Sequence, residues 1–280
     1  KNAISTLSIE YCSLNDDSKR MVREILMKDT LRNVSLAPSD QPMNEFLSSL
    51  THHRNILALK ISLRRMSEKD EDDVIKIIRN NAIHTLHLFW CEFSQRLCRI
   101  MTEHLPAMSS LREFRIEHPF DADWIPVIRA LAPNLQTLCV ERVIPNDNAL
   151  MAISDGISRC KQLREVKISN WSDNPAFDPS TLKTLCTSIA GQGHNLKSLA
   201  LIRLGIDDSS VADLCTMLRS LPQLEVLDLC LNKLSSDGLK TIAKHLQQRK
   251  KLEVICLGGN PGFVDQNARK EMQKCCDILV

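Results

Sequence analysis

The side chains of this 280-residue sequence with the widest chemical range are its eight histidines and eleven cysteines. Zinc needs cysteines and histidines at short, regular intervals. Cys91 and Cys98, and the adjacent Cys275 and Cys276, have neither that spacing nor histidine partners. A loop that cradles phosphate ends in Gly-Lys-Ser/Thr, and the glycine-rich stretch Gly258-Gly-Asn-Pro-Gly262 lacks this ending. His52-His53 have no nucleophile motif beside them. An odd cysteine count without a Cys-x-x-Cys pair argues against a disulfide framework. Free cysteines ordinarily pack as small apolar groups. The sequence therefore predicts no enzyme activity, no cofactor and no metal, with its thiols reduced and inside the protein.

The remaining polar and aromatic side chains are positioned by a repeat. Leu224-Glu-Val-Leu227-Asp-Leu229-Cys-Leu-Asn232-Lys-Leu234 sets leucines at spacings of three and two, which makes a short strand with one buried face. Leu252-Glu-Val-Ile255-Cys-Leu257-Gly-Gly-Asn260 repeats it 28 residues later. The same triplet recurs at Ile4/Leu7/Ile9, Leu31/Val34/Leu36, Ile56/Leu59/Ile61, Ile83/Leu86/Leu88 and Leu111/Phe114/Ile116. It continues at Leu135/Leu138/Val140, Leu163/Val166/Ile168 and Leu196/Leu199/Leu201. The ten first members are 27, 25, 27, 28, 24, 28, 33, 28 and 28 residues apart, with no gap in the register.

Each interval also carries a helical stretch. Ser18–Met27, Glu71–Arg79 and Ser236–Leu246 are examples, and Leu239, Ile242, Ala243 and Leu246 fall on one helical face. Acidic residues 68–73 open one helix and basic residues 249–251 close another, as the helix dipole favours. The last helix is expected from about Gln266 to Leu279.

This pattern resembles the leucine-rich-repeat signature L-x-x-L-x-L-x-x-N/C-x-L, and the 28-residue period resembles the ribonuclease-inhibitor-like class. The resemblance implies an α/β solenoid, a horseshoe of about ten strand–helix repeats. Its parallel sheet would line the concave face, with helices on the convex face. It also implies a turn side chain, at the N/C position, that satisfies backbone groups. Cys12, Cys91, Asn232 and Asn260 fill that position to pattern, whereas Ser39, Arg64, Pro119, Val143, Trp171 and Leu204 do not. Proteins of this family imply a non-enzymatic protein–protein interaction module or scaffold. Two alternatives are a structural subunit of a large assembly and a GTPase-activating protein of the Ran type. Members of the latter typically carry a long acidic tail, which this sequence lacks.

Residues 1–280 read as a single leucine-rich-repeat domain. With no polar cap on either terminal repeat, the domain is expected to belong to a longer chain or to pack against other subunits. A net charge of +2 gives no general reason to expect nucleic acid or an anionic membrane. No apolar run is long enough to insert in a bilayer. Without a signal peptide, and with reduced cysteines, the expected location is intracellular, cytoplasmic or nuclear.

Alternate strand residues should point out of the concave face. One such column is Ser8, Ser35, Lys60, His87, Arg115, Cys139, Lys167, Ala200, Asp228 and Cys256. Its neighbours include Phe89, Glu117 and Glu141, with Glu113 and Glu165 on the other side. The middle repeats should thus carry a basic row, Lys60, His87, Arg115 and Lys167, interleaved with carboxylates. A phosphate-tracking groove would lack the carboxylates. Trp90, Phe120, Trp124, Trp171 and Phe177 follow strands and should rim one edge. The longest repeat places its extra residues between Trp171 and Asp178. The candidate partner-binding residues are Lys60, His87, Phe89, Trp90, Arg115, Glu117, Trp124, Glu141, Lys167, Trp171 and Phe177, and the partner expected is a protein.

Overall fold

The computed structural model describes residues 4–10, 13–37, 44–64, 66–90, 92–119, 123–143, 146–172, 177–248 and 252–280. The chain divides into two units, Lys1–Ala132 and Pro133–Val280.

In the first unit strands and helices alternate: β1 (Thr6–Glu10), α1 (Asp16–Leu26), β2 (Asn33–Ala37), α2 (Asn44–Leu50), β3 (Ala58–Ser62) and α3 (Glu68–Asn80). These lead to β4 (Thr85–Phe89), α4 (Gln95–His104), β5 (Glu113–Glu117) and the one-turn α5 (Ile125–Arg129). Each strand lies parallel to the next in chain order. Parallel neighbours require a crossover, which the intervening helix supplies.

The second unit continues the alternation with β6 (Thr137–Val143), α6 (Asp147–Arg159), β7 (Glu165–Asn170), α7 (Pro179–Ala190), β8 (Ser198–Ile202) and α8 (Val211–Arg219). It ends in β9 (Val226–Asp228), α9 (Ser236–Leu246), β10 (Leu252–Cys256), α10 (Gln266–Gln273) and β11 (Cys276–Leu279). Its strands also pair in parallel, in chain order.

The triplets form the core. Every member from Leu31 to Leu257 is at most 4% exposed. In the first repeat Ile9 is buried, but Ile4, expected inside, lies ahead of β1 and is 44% exposed. Helix starts are fixed by side chains that accept from otherwise unpaired backbone N–H groups. Asn15 caps α1, Ser94 caps α4, Asn146 caps α6, Ser235 caps α9 and Asp265 caps α10. Ser67 and Asp70 cap α3 reciprocally, which explains why the acidic stretch opens that helix.

The final helix is shorter than the sequence suggests. It stops at Gln273, and Cys276–Leu279 form an eleventh strand, with Cys276 opposite Leu252 and Leu279 opposite Ile255. Cys276, 1% exposed, fills the position where the other repeats carry Leu or Ile, so the triplet is hidden in the sequence. The basic residues 249–251, the turn residues Cys12, Ser39 and Cys91, and Phe120 lie outside the described residues.

Candidate binding surface

On the first unit, strand register aligns Ser8, Ser35, Lys60, His87 and Arg115 in one column across the sheet face opposite the triplets. Each of the column's basic side chains has a carboxylate beside it, on its own strand or on one nearby. Glu10 accepts from Ser35 and from Lys60 Nζ, the latter at 3.1 Å. Arg115 pairs with Glu113, and His87 Nε2 stands 3.5 Å from Glu117 Oε2. The Ser35 hydroxyl is the largest influence holding the Glu10 carboxyl below its usual pKa; partial desolvation opposes it and Lys60 assists. Such half-exposed pairs contribute at most about 1 kcal/mol each, so their main effect is to fix side-chain positions. Lys60, His87, Glu113 and Arg115 line an open groove of about 410 Å³, together with residues including Asn33, Ser35 and Thr85.

The aromatic residues fall into two groups. Phe89 lies in an outward column yet is only 2% exposed, with Lys60 Nζ 5.1 Å above its ring and the His87 ring centroid 5.6 Å away. Trp124, expected on the rim, is 3% exposed and forms part of the core where α5 begins. Trp90 is half-buried and stacks on His118, with centroids 4.3 Å apart and planes within 3°.

On the second unit the outward column runs Cys139, Lys167, Ala200, Asp228 and Cys256. Lys167 is bound by Glu141 at 2.6 Å. Cys139, expected to face solvent, is fully buried. Desolvation pushes the Cys230 thiol up to about 12, with the hydrogen bond to Asp228 adding to it, and burial raises Cys256 as well.

The turns after the strands show a feature that the repeat signature does not announce. The residue before the N/C position is left-handed in several repeats. Trp90, His118, Arg142, Arg203 and Leu231 have φ between 51° and 58°, and Gly259 has φ 78°. A non-glycine residue there costs about 1–2 kcal/mol. In three cases the residue's own N–H bonds the following strand's chain, offsetting that cost: Trp90 to Glu117, Arg203 to Cys230 and Leu231 to Gly258, at 2.8–3.0 Å.

Repeat seven departs from this. Between β6 and β7 the register shifts, so that Val143 stands opposite Asn170 rather than Trp171. Asn170, 6% exposed, takes the turn position and closes the turn on the Ser172 N–H at 2.8 Å. Trp171 is displaced one place outward and is 57% exposed. Its N–H bonds back to the Val143 carbonyl at 2.9 Å. The Arg142 guanidinium lies 5.8 Å from its ring centroid, and Arg203 Nη1 donates to its carbonyl at 3.4 Å. Phe177 is half-buried, and residues 173–176 of the longest loop lie outside the described residues. Arg142, Arg203 and Leu231 were missed in the sequence, although the residue before each N/C position could have been read as a column.

Among the described residues no group of three or more His, Cys, Asp or Glu is placed to hold a metal ion. None of their helices is long and apolar enough to cross a membrane.

This chain has the leucine-rich-repeat fold, with one strand and one helix per repeat. Among solved structures it is similar to the leucine-rich-repeat-containing protein LegL7 from Legionella pneumophila, at a TM-score of 0.58 and 15% identity, over 98% of this chain and 90% of that one. A protein from Bacteroides fragilis aligns over 98% of this chain and 73% of its own at a TM-score of 0.47 and 15% identity. No family model matches the sequence, and no curated protein matches it. At 15% identity the likeness to LegL7 speaks for the fold alone.

Proposed function

We propose that this chain is a non-enzymatic interaction module that binds a protein partner through the groove on the first unit, with Trp171 a further contact on the second. The groove carries the reading: Lys60, His87, Arg115 and Glu113 line it, and Glu10 and Glu117 hold Lys60 and His87 in place. Fixed charges of both signs suit a polar protein surface better than a polyanion, because a phosphate backbone would meet carboxylates at every step. Lys60, His87, Arg115, Glu117 and half-buried Trp90 are the first unit's contacts; Glu141 and Lys167 serve the second unit in the same way.

The histidines support a non-enzymatic role. His53 Nε2 is engaged with the Leu26 carbonyl at 2.6 Å, and His87 and His118 both face Glu117. The Cys160 and Cys186 thiols, pushed up to about 12 by burial, are poor nucleophiles. The nine described cysteines are free, which suits a reducing compartment and a partner inside the cell.

Affinity capture from native cell extract with crosslinking mass spectrometry tests this, comparing wild type with a Lys60→Glu/Arg115→Glu variant. The expected result is one protein crosslinked near the groove and lost in the variant. Crosslinks spread over the helices and unchanged in the variant would mean a structural subunit instead. GTP hydrolysis accelerated on a purified nuclear-transport GTPase would overturn the non-enzymatic reading.

A further inference from the structure

We infer that the sheet face around Asp228 binds an extended protein segment carrying one lysine with an apolar side chain two residues to either side. This rests on the reading of the chain as an interaction module, but it concerns a different surface from the groove. Asp228 lies in the outward column of the second unit, between Ala200 on β8 and Cys256 on β10. Val226 precedes it on the same face, in a column that runs Ser198, Val226, Val254 and Ile278. Cys230 closes the patch beyond the strand, its N–H donating to Asp228 Oδ1 at 2.9 Å. The nearest neighbours of the carboxylate on this face are thus a valine, an alanine and two thiols. Val226, Val254, Cys230 and Cys256 are half-buried, and Ile278 is 56% exposed.

The other charges of the outward columns are matched: Lys60 by Glu10, His87 by Glu117, Arg115 by Glu113 and Lys167 by Glu141. Among the described residues no basic side chain pairs with Asp228, which is held instead by the Cys230 N–H and thiol. A thiol is a weak donor. Burial keeps the Cys230 and Cys256 thiols protonated, and Asp228 itself adds to the effect. The carboxylate therefore stands in an apolar patch with its charge unmatched. Covering it with apolar groups alone would strip its water and return nothing. A partner seated on this face must bring a cation to it. Glu253 and Asp277, exposed on β10 and β11 and likewise without a basic partner among the described residues, add charge of the same sign. A polyanion is thus repelled here.

Spacing sets the rest of the ligand. In an extended chain alternate side chains share a face and stand about 6.6 Å apart. A lysine placed over Asp228 therefore brings the side chains two residues before and after it down onto the same surface. Laid along β9, these flanking side chains meet Val226 and Cys230. Laid across the strands, which are about 4.8 Å apart, they fall near Ala200 and Cys256. Apolar meets apolar in either direction. One Asp228 oxygen already accepts from the Cys230 N–H, so the compact ammonium of lysine suits the site better than a guanidinium, whose fork bonds best to both oxygens.

The test uses the whole chain and tetramethylrhodamine-Gly-Leu-Ser-Lys-Ser-Leu-Gly-amide, read by fluorescence anisotropy. One control peptide replaces the lysine with glutamate, and another replaces both leucines with serine. The lysine peptide should bind, more weakly as salt is added, and each control should bind at least about fivefold less tightly. Asp228→Asn keeps an oxygen for the Cys230 N–H but loses the charge, so it should weaken the lysine peptide about fivefold. Asp228→Lys should bind the glutamate peptide better than wild type does, a gain that a merely unfolded protein would not show. Equal binding of the lysine and glutamate peptides, or an unaffected Asp228→Asn variant, would overturn the inference. So would a wild-type dimer in sedimentation that Asp228→Lys turns into a monomer, since the face would then cover a second copy. Failure of the peptide with the groove partner still captured removes this inference alone. Peptide binding that depends on Asp228, with no partner captured at the groove, supports this inference and removes only the groove.

Discussion

Repeats nine and seven solve the same problem, the turn after a strand, with an asparagine in both, and reach opposite results at the surface. In repeat nine Asn232 is 3% exposed and reaches across two repeats. Its Oδ1 accepts from Leu204 and Ile206, and its Nδ2 donates to Leu201 and Leu229, at 2.7–3.2 Å. Asn260 in repeat ten works alike, accepting from Leu234 and donating to Leu229 and Leu257. In repeat seven the Asn170 side chain bonds Ser172, locally, and no other described residue. The first kind of turn ties neighbouring repeats together, and the second frees a position that Trp171 carries into solvent. A side chain in the same slot thus serves stability in one repeat and presentation in another.

The largest expected effect breaks the first kind of turn. Asn232→Ala takes a partner from two backbone N–H groups and from the Leu201 carbonyl in a buried turn, while the Leu229 carbonyl keeps Asn260; at about 1–3 kcal/mol per unsatisfied group, urea unfolding should show a loss of about 3–5 kcal/mol. Asn170→Ala, which removes only bonds to one residue, should cost about 1 kcal/mol. Equal losses in the two variants would erase the distinction between the turns.

A smaller effect is expected one residue upstream of Asn260. Gly259 adopts φ 78°, and a Cβ there would come within 2.5 Å of a Leu231 methyl. Gly259→Ala should therefore destabilise by about 1–2 kcal/mol from the left-handed backbone alone. The contact falls on the mobile end of a leucine, which can turn aside at modest cost. Thermal denaturation of this variant beside Leu231→Ala/Gly259→Ala separates the two terms. If removing the leucine restores wild-type stability, the clash and not the backbone carries the cost.

The triplets were legible because leucines at spacings of three and two, recurring at a near-constant period, fit a one-sided strand and hardly any other element. Strand register then followed to the residue. The outward columns were legible for the same reason, since side chains alternate along a strand. Whether a column member reaches solvent was not. Phe89 lies in an outward column but is covered by Lys60 and His87, and Cys139 is small enough to disappear beneath its longer neighbours. Trp124 misled because position after a strand does not say which way a side chain turns. Counting three residues from Ile168 put Trp171 in the turn; the one-residue shift could have been read from Asn170, the residue type the turn prefers. Arg142, Arg203 and Leu231 escaped because left-handed backbone usually announces itself as glycine, and among the described residues that precede the N/C position only Gly259 did so.

The smallest expected effect on stability is at the most exposed member of the comparison. Trp171 contributes its N–H and carbonyl to the turn, and both remain in alanine. What Trp171→Ala removes is a ring 57% exposed, together with a cation–π contact to Arg142, worth about 0.5–1 kcal/mol where solvent reaches it. Unfolding stability should therefore fall by no more than about 1 kcal/mol. A loss above about 2 kcal/mol would place the indole among the groups that hold the repeats together. It would also remove the contrast with Asn232, since both turns would then be using their side chains for stability. A loss within that bound would fix repeat seven as the turn whose cross-repeat bonds run through the backbone of Trp171 and not through its side chain.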